Sequence, residues 1–381
     1  MRKIAVVTGT RAEYGYLKPL MEAIEKDNEL ELIPIITGMH LVSDFGSTYK
    51  IVEKDFPESV KIPMILRGDS LKDMAEYLSS GIKKFAKYFY SKRPDIIIVL
   101  GDRSESLAAA LTALYLNIPI VHINGGDVTG TTIDESIRHA ITKISHIHFA
   151  HTKLNAERIK KMGEDEKRIF VTGALTLDTI LKTKLMTKAE VFEEYHLDPD
   201  KTTFLVVQHP ITTIKDRGYS QMEEILLALD TLKEQTILFY PNCDAGGKKM
   251  IKLIEKYRGV KHFHIFKNLP HENYLSLMKS SDLMIGNSSS GIIEAPSFKI
   301  PVINVGARQQ GRERSENIID VEPKKNNILK AIDFAIHNKD FQEKVRSCKN
   351  KFGDGNASQK IVKKIKELKI DDKLIQKQLT Y

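Results

Sequence analysis

The chain's reactive side chains come in short clusters, each following an apolar run. Asp102 stands directly after Gly101, beyond the run Ile96, Ile97, Ile98, Val99 and Leu100. A carboxylate there is either the cap of a following helix or a base held in a partly desolvated place. Ser104 offers itself as the cap, which frees Asp102 for chemistry. A second cluster begins at His122, passes Asn124, Gly125, Gly126 and Asp127, and enters a helical pattern with Asp134, Glu135, Arg138 and His139. It holds three carboxylates, two histidines and an arginine around a glycine pair that permits close approach to a ligand. Asp134 and Arg138 are four apart and share a helix face, so a salt bridge accounts for that pair. His122 and Asp127 are left over, which favours an active-site segment.

Other clusters suit anion binding. The first apolar run leads into Gly9-Thr10-Arg11-Ala12-Glu13-Tyr14-Gly15. An arginine at a helix start clamps a phosphate or neutralises a leaving group, unless Arg11 is merely paired with a local carboxylate. His209, between Gln208 and Pro210, is placed to meet a diphosphate or act as an acid, or is simply a loop residue before proline. The clearest pattern is Gly286-Asn287-Ser288-Ser289-Ser290-Gly291 followed by Glu294. Serine hydroxyls and free backbone N–H groups opening a helix make an anion site, and Glu294, one turn in, suits ribose hydroxyls or a capping box. Arg308, Arg312 and Arg314 add positive charge, with one of them functional and the others expected at the surface. His146, His148 and His151 alternate along a strand and read as buried or edge histidines. No metal site is expected, because zinc would need further partners at suitable spacing.

These clusters need a scaffold that brings strand ends together. Apolar runs recur at 3–8, 30–37, 95–100, 118–122, 146–151 and 168–171, with amphipathic segments between them, such as Leu71–Lys92. Continuous apolar character marks strands covered on both faces, and the β-α-β-α alternation implies a parallel, doubly wound sheet. A second series runs through 203–208, 236–240, 262–266, 283–286, 301–305 and 317–321. The fold expected is α/β, with two Rossmann-like domains facing a cleft: 1–178, then 179–358, then a helical tail 359–381. The join falls near 176–198, and the tail's docking partner is left open. Ligands bind at the carboxyl ends of strands in such sheets.

Composition narrows the class. The 381 residues are 41% hydrophobic and 28% charged, as in a soluble globular protein. No stretch approaches the ~20 apolar residues of a membrane span, and the apolar part of the N-terminus is too short for a signal peptide. Cys243 and Cys348 alone provide no disulfide framework, so a cytoplasmic protein is expected. The net charge of +8 raises nucleic acid as a partner, but no recognition motif accompanies the spread lysines. Neither a Gly-x-Gly-x-x-Gly after the first strand nor a Walker lysine is present, which disfavours nicotinamide and P-loop chemistry. No cofactor, nucleic-acid or membrane partner is expected.

Together the motifs resemble the UDP-N-acetylglucosamine 2-epimerase family, its hydrolysing, sialic-acid-pathway branch in particular. The resemblance rests on residues 9–15, Gly101-Asp102-Arg103, 122–148, 287–296, 306–312 and Gly353-Asp354-Gly355-Asn356-Ala357-Ser358. It implies a fold of the glycosyltransferase B type, a small-molecule nucleotide-sugar substrate and a homo-oligomer. The implied chemistry removes the C2 proton as the C1–O bond to UDP breaks, and water adds to the resulting glycal. UDP-GlcNAc and water would thus become UDP and N-acetylmannosamine. A non-hydrolysing epimerase, or hydrolysis of a 2,4-diacetamido or GDP-linked sugar nucleotide, is the alternative. Under this resemblance Arg11, the loop Ser288, Ser289, Ser290 and Gly291, and Arg312 would stabilise the leaving group, with His209 assisting. Glu294 would hold the ribose, Asn124 and Arg138 would contact substrate, and acid–base work would fall to Asp102, Asp127 and Asp134. Some members carry an acidic residue where this chain has Asn124. Asparagine cannot abstract a proton, so that role either passes to Asp127 or was never located there.

Overall fold

The computed structural model describes residues 1–43, 46–64, 68, 70–128, 132–216, 218–242 and 244–380. Cys243 lies outside them, and Cys348 is a free, buried thiol. The chain divides into two compact units. One comprises Met1–Asp127, Asp134–Leu181 and Phe352–Tyr381, the other Val128–Ile133 and Lys182–Lys351.

The first unit alternates β1 (Arg2–Thr8), α1 (Arg11–Glu25), β2 (Leu30–Thr37), α2 (Tyr49–Asp55), β3 (Val60–Ile62), α3 (Leu71–Lys92), β4 (Ile96–Leu100) and α4 (Ser104–Tyr115). It continues with β5 (Ile120–Ile123), α5 (Ile133–Ile144), β6 (Ile147–Ala150), α6 (Lys153–Lys161), β7 (Ile169–Val171) and α7 (Leu175–Lys182). The described strands form one parallel sheet in the order β3-β2-β1-β4-β5-β6-β7. All five residues of β4 are buried, as a central strand covered on both faces must be. Apolar clusters cover the two faces, one with Ile4, Val6, Leu17 and Ile98, the other with Ala5, Val7, Phe85 and Ile97. Alternate residues of β1 and β4 thus feed opposite clusters, the period-two signature of a strand.

The second unit repeats the scheme with α8 (Lys188–Glu194), β8 (Thr203–Val207), α9 (Tyr219–Leu232), β9 (Gln235–Phe239), α10 (Gly247–Glu255), β10 (Phe263–Phe266) and α11 (His271–Ser280). After these come β11 (Leu283–Gly286), α12 (Ser289–Ile293), α13 (Ala295–Phe298), β12 (Val302–Val305), β13 (Ile318–Val321), α14 (Lys325–His337) and α15 (Lys339–Ser347). Its described strands, again all parallel, run β10-β9-β8-β11-β12-β13. The chain is therefore α/β with two Rossmann-like units. Among the described residues no helix is long and apolar enough to cross a membrane.

The chain then returns to the first unit. The Ala174 N–H donates to the Phe352 carbonyl at 2.7 Å, and Gly353 packs backbone to backbone against Gly173. The fully buried Asp178 accepts the Ala357 and Ser358 N–H groups at 2.8 and 2.7 Å, capping α16 (Ala357–Glu367) with a negative charge at its N-terminus. Helix α17 (Asp372–Ile375) follows, and Leu374 enters the β1–α1 core. The glycine-rich 353–358 motif is thus the anchor of a returning segment.

Candidate active site

In each sheet the strand order reverses once, between β1 and β4 in the first unit and between β8 and β11 in the second. Open α/β sheets bind ligands outside the carboxyl ends of the strands at such a reversal. Arg11 follows β1, Asp102 follows β4, His209 follows β8 and the serine loop follows β11, so all four groups occupy those positions.

In the first unit Arg11 opens α1 half-buried, with Thr10 as the N-cap accepting the Glu13 N–H at 3.2 Å. Asp102 is half-buried at the end of β4, and α4 begins at Ser104 with no side-chain cap at Arg103. The Asp102 carboxylate pairs with Arg138 of α5, a guanidinium with no exposed surface. Arg138 also donates to Glu135 Oε2 at 2.9 Å and to the Asp127 carbonyl at 3.1 Å. Asp127 is buried beside it, whereas Asp134 is half-buried in the first turn of α5. One arginine therefore ties the end of β4, the end of the β5 loop and α5 together. Asn124 sits in the left-handed region (φ 67°), a conformation asparagine tolerates better than most residues, and its N–H donates to Phe149 at 3.0 Å.

Two expectations change here. A side chain on Gly126 would lie 2.2 Å from the Asn155 carbonyl of α6, and one on Gly125 would strike Thr142 and His122. The glycine pair makes room for the protein's own helices rather than for a ligand. His122 is fully buried, its Nε2–H donating to the Gly101 carbonyl at 2.8 Å and its Nδ1 3.2 Å from the Thr142 hydroxyl. Burial lowers its pKa to about 3, so the ring is neutral and braces the Asp102 loop. His148, its register partner on the neighbouring strand β6, is likewise buried and lies 3.1 Å from Glu164.

Sequence reasoning passed over Glu13 and Glu105, both buried. Glu105 accepts the Tyr77 hydroxyl at 2.5 Å and lies 3.5 Å from Arg103 Nε; Glu13 accepts the Gly9 N–H at 2.6 Å. An acid in a helix's first turn ordinarily signals dipole compensation at the surface, so nothing in its position announced burial. Burial raises the Glu13 carboxyl to about 7, the Gly9 hydrogen bond opposes this, and the charge of Glu105 adds to it. The native state therefore holds this proton more tightly than the unfolded chain, whose value is near 4.5. Its contribution to stability falls as pH rises from about 4.5 to about 7 and stays low above that. Glu13→Gln is expected to be more stable than the parent at pH 8 by roughly 1–3 kcal/mol and equal to it near pH 4. Urea unfolding at the two pH values measures this; a variant less stable at pH 8 would contradict the buried charge.

In the second unit the fully buried Asn287 clips His209, accepting its N–H at 2.7 Å and donating to its carbonyl at 3.0 Å. The His209 Nδ1 accepts the Asn242 N–H at 3.1 Å, so the neutral ring carries its proton on Nε2. Ser288 caps α12, and its hydroxyl lies 2.9 Å from that of Ser290, which meets the Tyr274 hydroxyl at 2.6 Å. Ser290 is thus engaged from two sides, while Ser288 and Ser289 are half-buried. Gly291 lets α12 lie on β12, since a Cβ there would stand 2.9 Å from Val302.

Glu294 ends α12 and begins α13 without capping either through its side chain, which excludes the capping box. It is buried, with Oε1 3.2 Å from His271 Nε2. Arg312 is buried and donates to Gln309 at 2.8 Å. Arg308, expected at the surface, is buried too and holds the Asn287 carbonyl at 3.1 Å; Arg314 is half-buried and pairs with Asp320. His271 and Tyr274 were missed because they precede the loop by a whole strand, and no local pattern links them to it.

A family profile described as UDP-N-acetylglucosamine 2-epimerase matches residues 22–366. The chain belongs to that family. It is 37% identical over 378 residues, 99% of both chains, to a protein of Legionella pneumophila named UDP-N,N'-diacetylbacillosamine 2-epimerase (hydrolyzing). It is 40% identical over 324 residues, 84% of both chains, to the Campylobacter jejuni GDP/UDP-N,N'-diacetylbacillosamine 2-epimerase (hydrolyzing). A Neisseria meningitidis UDP-N-acetylglucosamine 2-epimerase is 35% identical over 333 residues, 87% of both. A crystal structure of UDP-GlcNAc 2-epimerase from Neisseria meningitidis, bound to UDP-GlcNAc, superposes with a TM-score of 0.81 at 21% identity, covering 96% of this chain and 100% of that one. That likeness bears on the fold, which is of the glycosyltransferase B type. The epimerase chain is accordingly an enzyme of sugar-nucleotide 2-epimerase chemistry in its hydrolysing form.

Proposed function

We propose that this epimerase hydrolyses a UDP-linked 2,4-diacetamido sugar of the diacetylbacillosamine kind, releasing UDP and the free sugar inverted at C2. The reading rests on the buried Arg138 at the sheet reversal, paired with the Asp102 carboxylate and donating to the Asp127 carbonyl, together with the names of the two relatives above that share 37% and 40% of their residues. A base takes the C2 proton as the C1–O bond breaks, and the electron pair leaves with the diphosphate. The glycal left behind takes hydroxide from water at C1 and a proton at C2 on the opposite face. Asp102, Asp127 and Asp134 carry the acid–base work. Arg11, Arg312, Ser288, Ser289, Ser290 and Gly291 offset the charge on the leaving diphosphate, assisted by His209. Glu294 accepts from the ribose hydroxyls, and Asn124 borders the sugar. Arg138 is fully enclosed by its own partners, so its part is to orient Asp102.

UDP-GlcNAc, giving N-acetylmannosamine, is the second reading, supported by the family's description and by the Neisseria relative. Incubation with either UDP-sugar in deuterated water, followed by proton NMR, separates the two. Free 2-epimer carrying deuterium at C2 is expected from the diacetamido donor, at a kcat/KM at least tenfold above that of UDP-GlcNAc. A preference for UDP-GlcNAc selects the second reading. Recovery of an epimerised nucleotide sugar with no free sugar rejects hydrolysis.

A further inference from the structure

Helix α5 is held at its middle and at its C-terminal end. Its middle carries Arg138, paired with Asp102. Its last turn meets the chain's own C-terminal strap, residues 371–380. The Lys377 ammonium donates to the carbonyls of Lys143 and Ser145, the latter at 2.8 Å, and reaches that of Thr142 at 3.5 Å. These are the carbonyls a helix C-terminus leaves without intrahelical partners, and a cation there also meets the negative end of the helix dipole. Only 14% of the Lys377 side chain is exposed, and burying an ammonium demands a counter-charge. The fully enclosed Glu164 supplies it at 2.7 Å while also receiving Lys143 at 2.7 Å and facing His148 at 3.1 Å. The strap is tied down separately: Arg168 donates to the carbonyls of Lys373 and Leu374, and the Thr380 N–H donates to Gly163.

We propose that Lys377 is a positioning residue for the reaction, acting on Asp102 through α5. Two connections lead from the capped turn to the carboxylate. One is the helix itself, which sets the height of Arg138 against Asp102. The other runs from Thr142, whose hydroxyl lies 3.2 Å from His122, to the Gly101 carbonyl that His122 holds at 2.8 Å, next to Asp102. A shift of α5 along its axis therefore moves the carboxylate twice over. Errors of about 1 Å in such placement cost as much as 10²-fold in rate.

The inference rests on Asp102 acting at the substrate, and the test keeps the two apart. In the full-length chain, Lys377→Met is assayed at a temperature where circular dichroism finds it fully folded. The expected result is a fall in kcat of about tenfold or more, with KM and the inhibition constant of UDP within about twofold of the parent. An unchanged kcat, or losses that track only the folded fraction, overturns the proposal. Should Lys377→Met fail to fold, Arg168→Met, which loosens the strap and leaves Lys377 in place, is read the same way. Asp102→Asn is run alongside. If it too leaves kcat unchanged, the role of Asp102 is what failed; if it is crippled while both strap variants are not, Lys377 is merely structural.

Discussion

Asp102→Asn is expected to lower turnover of the sugar nucleotide by about 10²–10⁴-fold while the protein stays folded. Asparagine keeps the size of the side chain and an oxygen that accepts from Arg138, so the tie between β4 and α5 survives. What it loses is the ability to take up a proton. KM should change little, because Asp102 is assigned to proton transfer and not to recognition of the uridine or the diphosphate. A coupled assay for UDP release, with circular dichroism as the control for folding, measures both. Turnover within about threefold of the parent would remove Asp102 from proton transfer and pass the role to Asp127 or Asp134.

Arg138→Met should do more damage to the fold than any other single change considered. The guanidinium is fully buried and serves Asp102, Glu135 and the Asp127 carbonyl together. Methionine fills similar volume but leaves two carboxylates side by side without their shared cation. Breaking a buried ion pair from one side costs about 3–5 kcal/mol. Asp102 and Glu135 are each about a fifth exposed, so water relieves part of this and the lower end is expected. The double variant Arg138→Met/Asp102→Asn should recover roughly 1–2 kcal/mol of the loss. Urea midpoints of the four proteins in that cycle give the coupling. A double variant no more stable than Arg138→Met alone would contradict a charge-based tie.

Both results depend on a contact that no local pattern reveals. The strand ends were legible, because a parallel sheet buried on both faces writes its strands as apolar runs, and Ile96–Leu100 can be little else. The short edge strand β3, with an exposed lysine at its centre, carries no such run and was passed over. Polar residues directly after apolar runs marked the carboxyl edge, which placed Asp102, His209 and Ser288 correctly with respect to their sheets. Their partners were not legible. Arg138 lies 36 residues beyond Asp102 and reaches it only because α5 docks where it does. The sequence spacing pairs Arg138 with Asp134, four residues away on the same helix, and says nothing of Asp102. Gly125 and Gly126 show the same limit: a missing Cβ announces a close approach, not whether a ligand or another helix makes it.

The returning segment also bears on how the molecule is made. Arg2, in β1, donates to the carbonyls of Ile365 and Leu368, and Ile361, Val362 and Ile365 complete the apolar cluster around Leu17 and Leu20. During translation that cluster must wait, uncovered, while the whole of 182–351 emerges. The second unit can close its sheet before those last residues leave the ribosome. The unit begun first is therefore finished last, and a nascent chain halted near Phe352 would expose an oily face on its older half while its younger half is already folded.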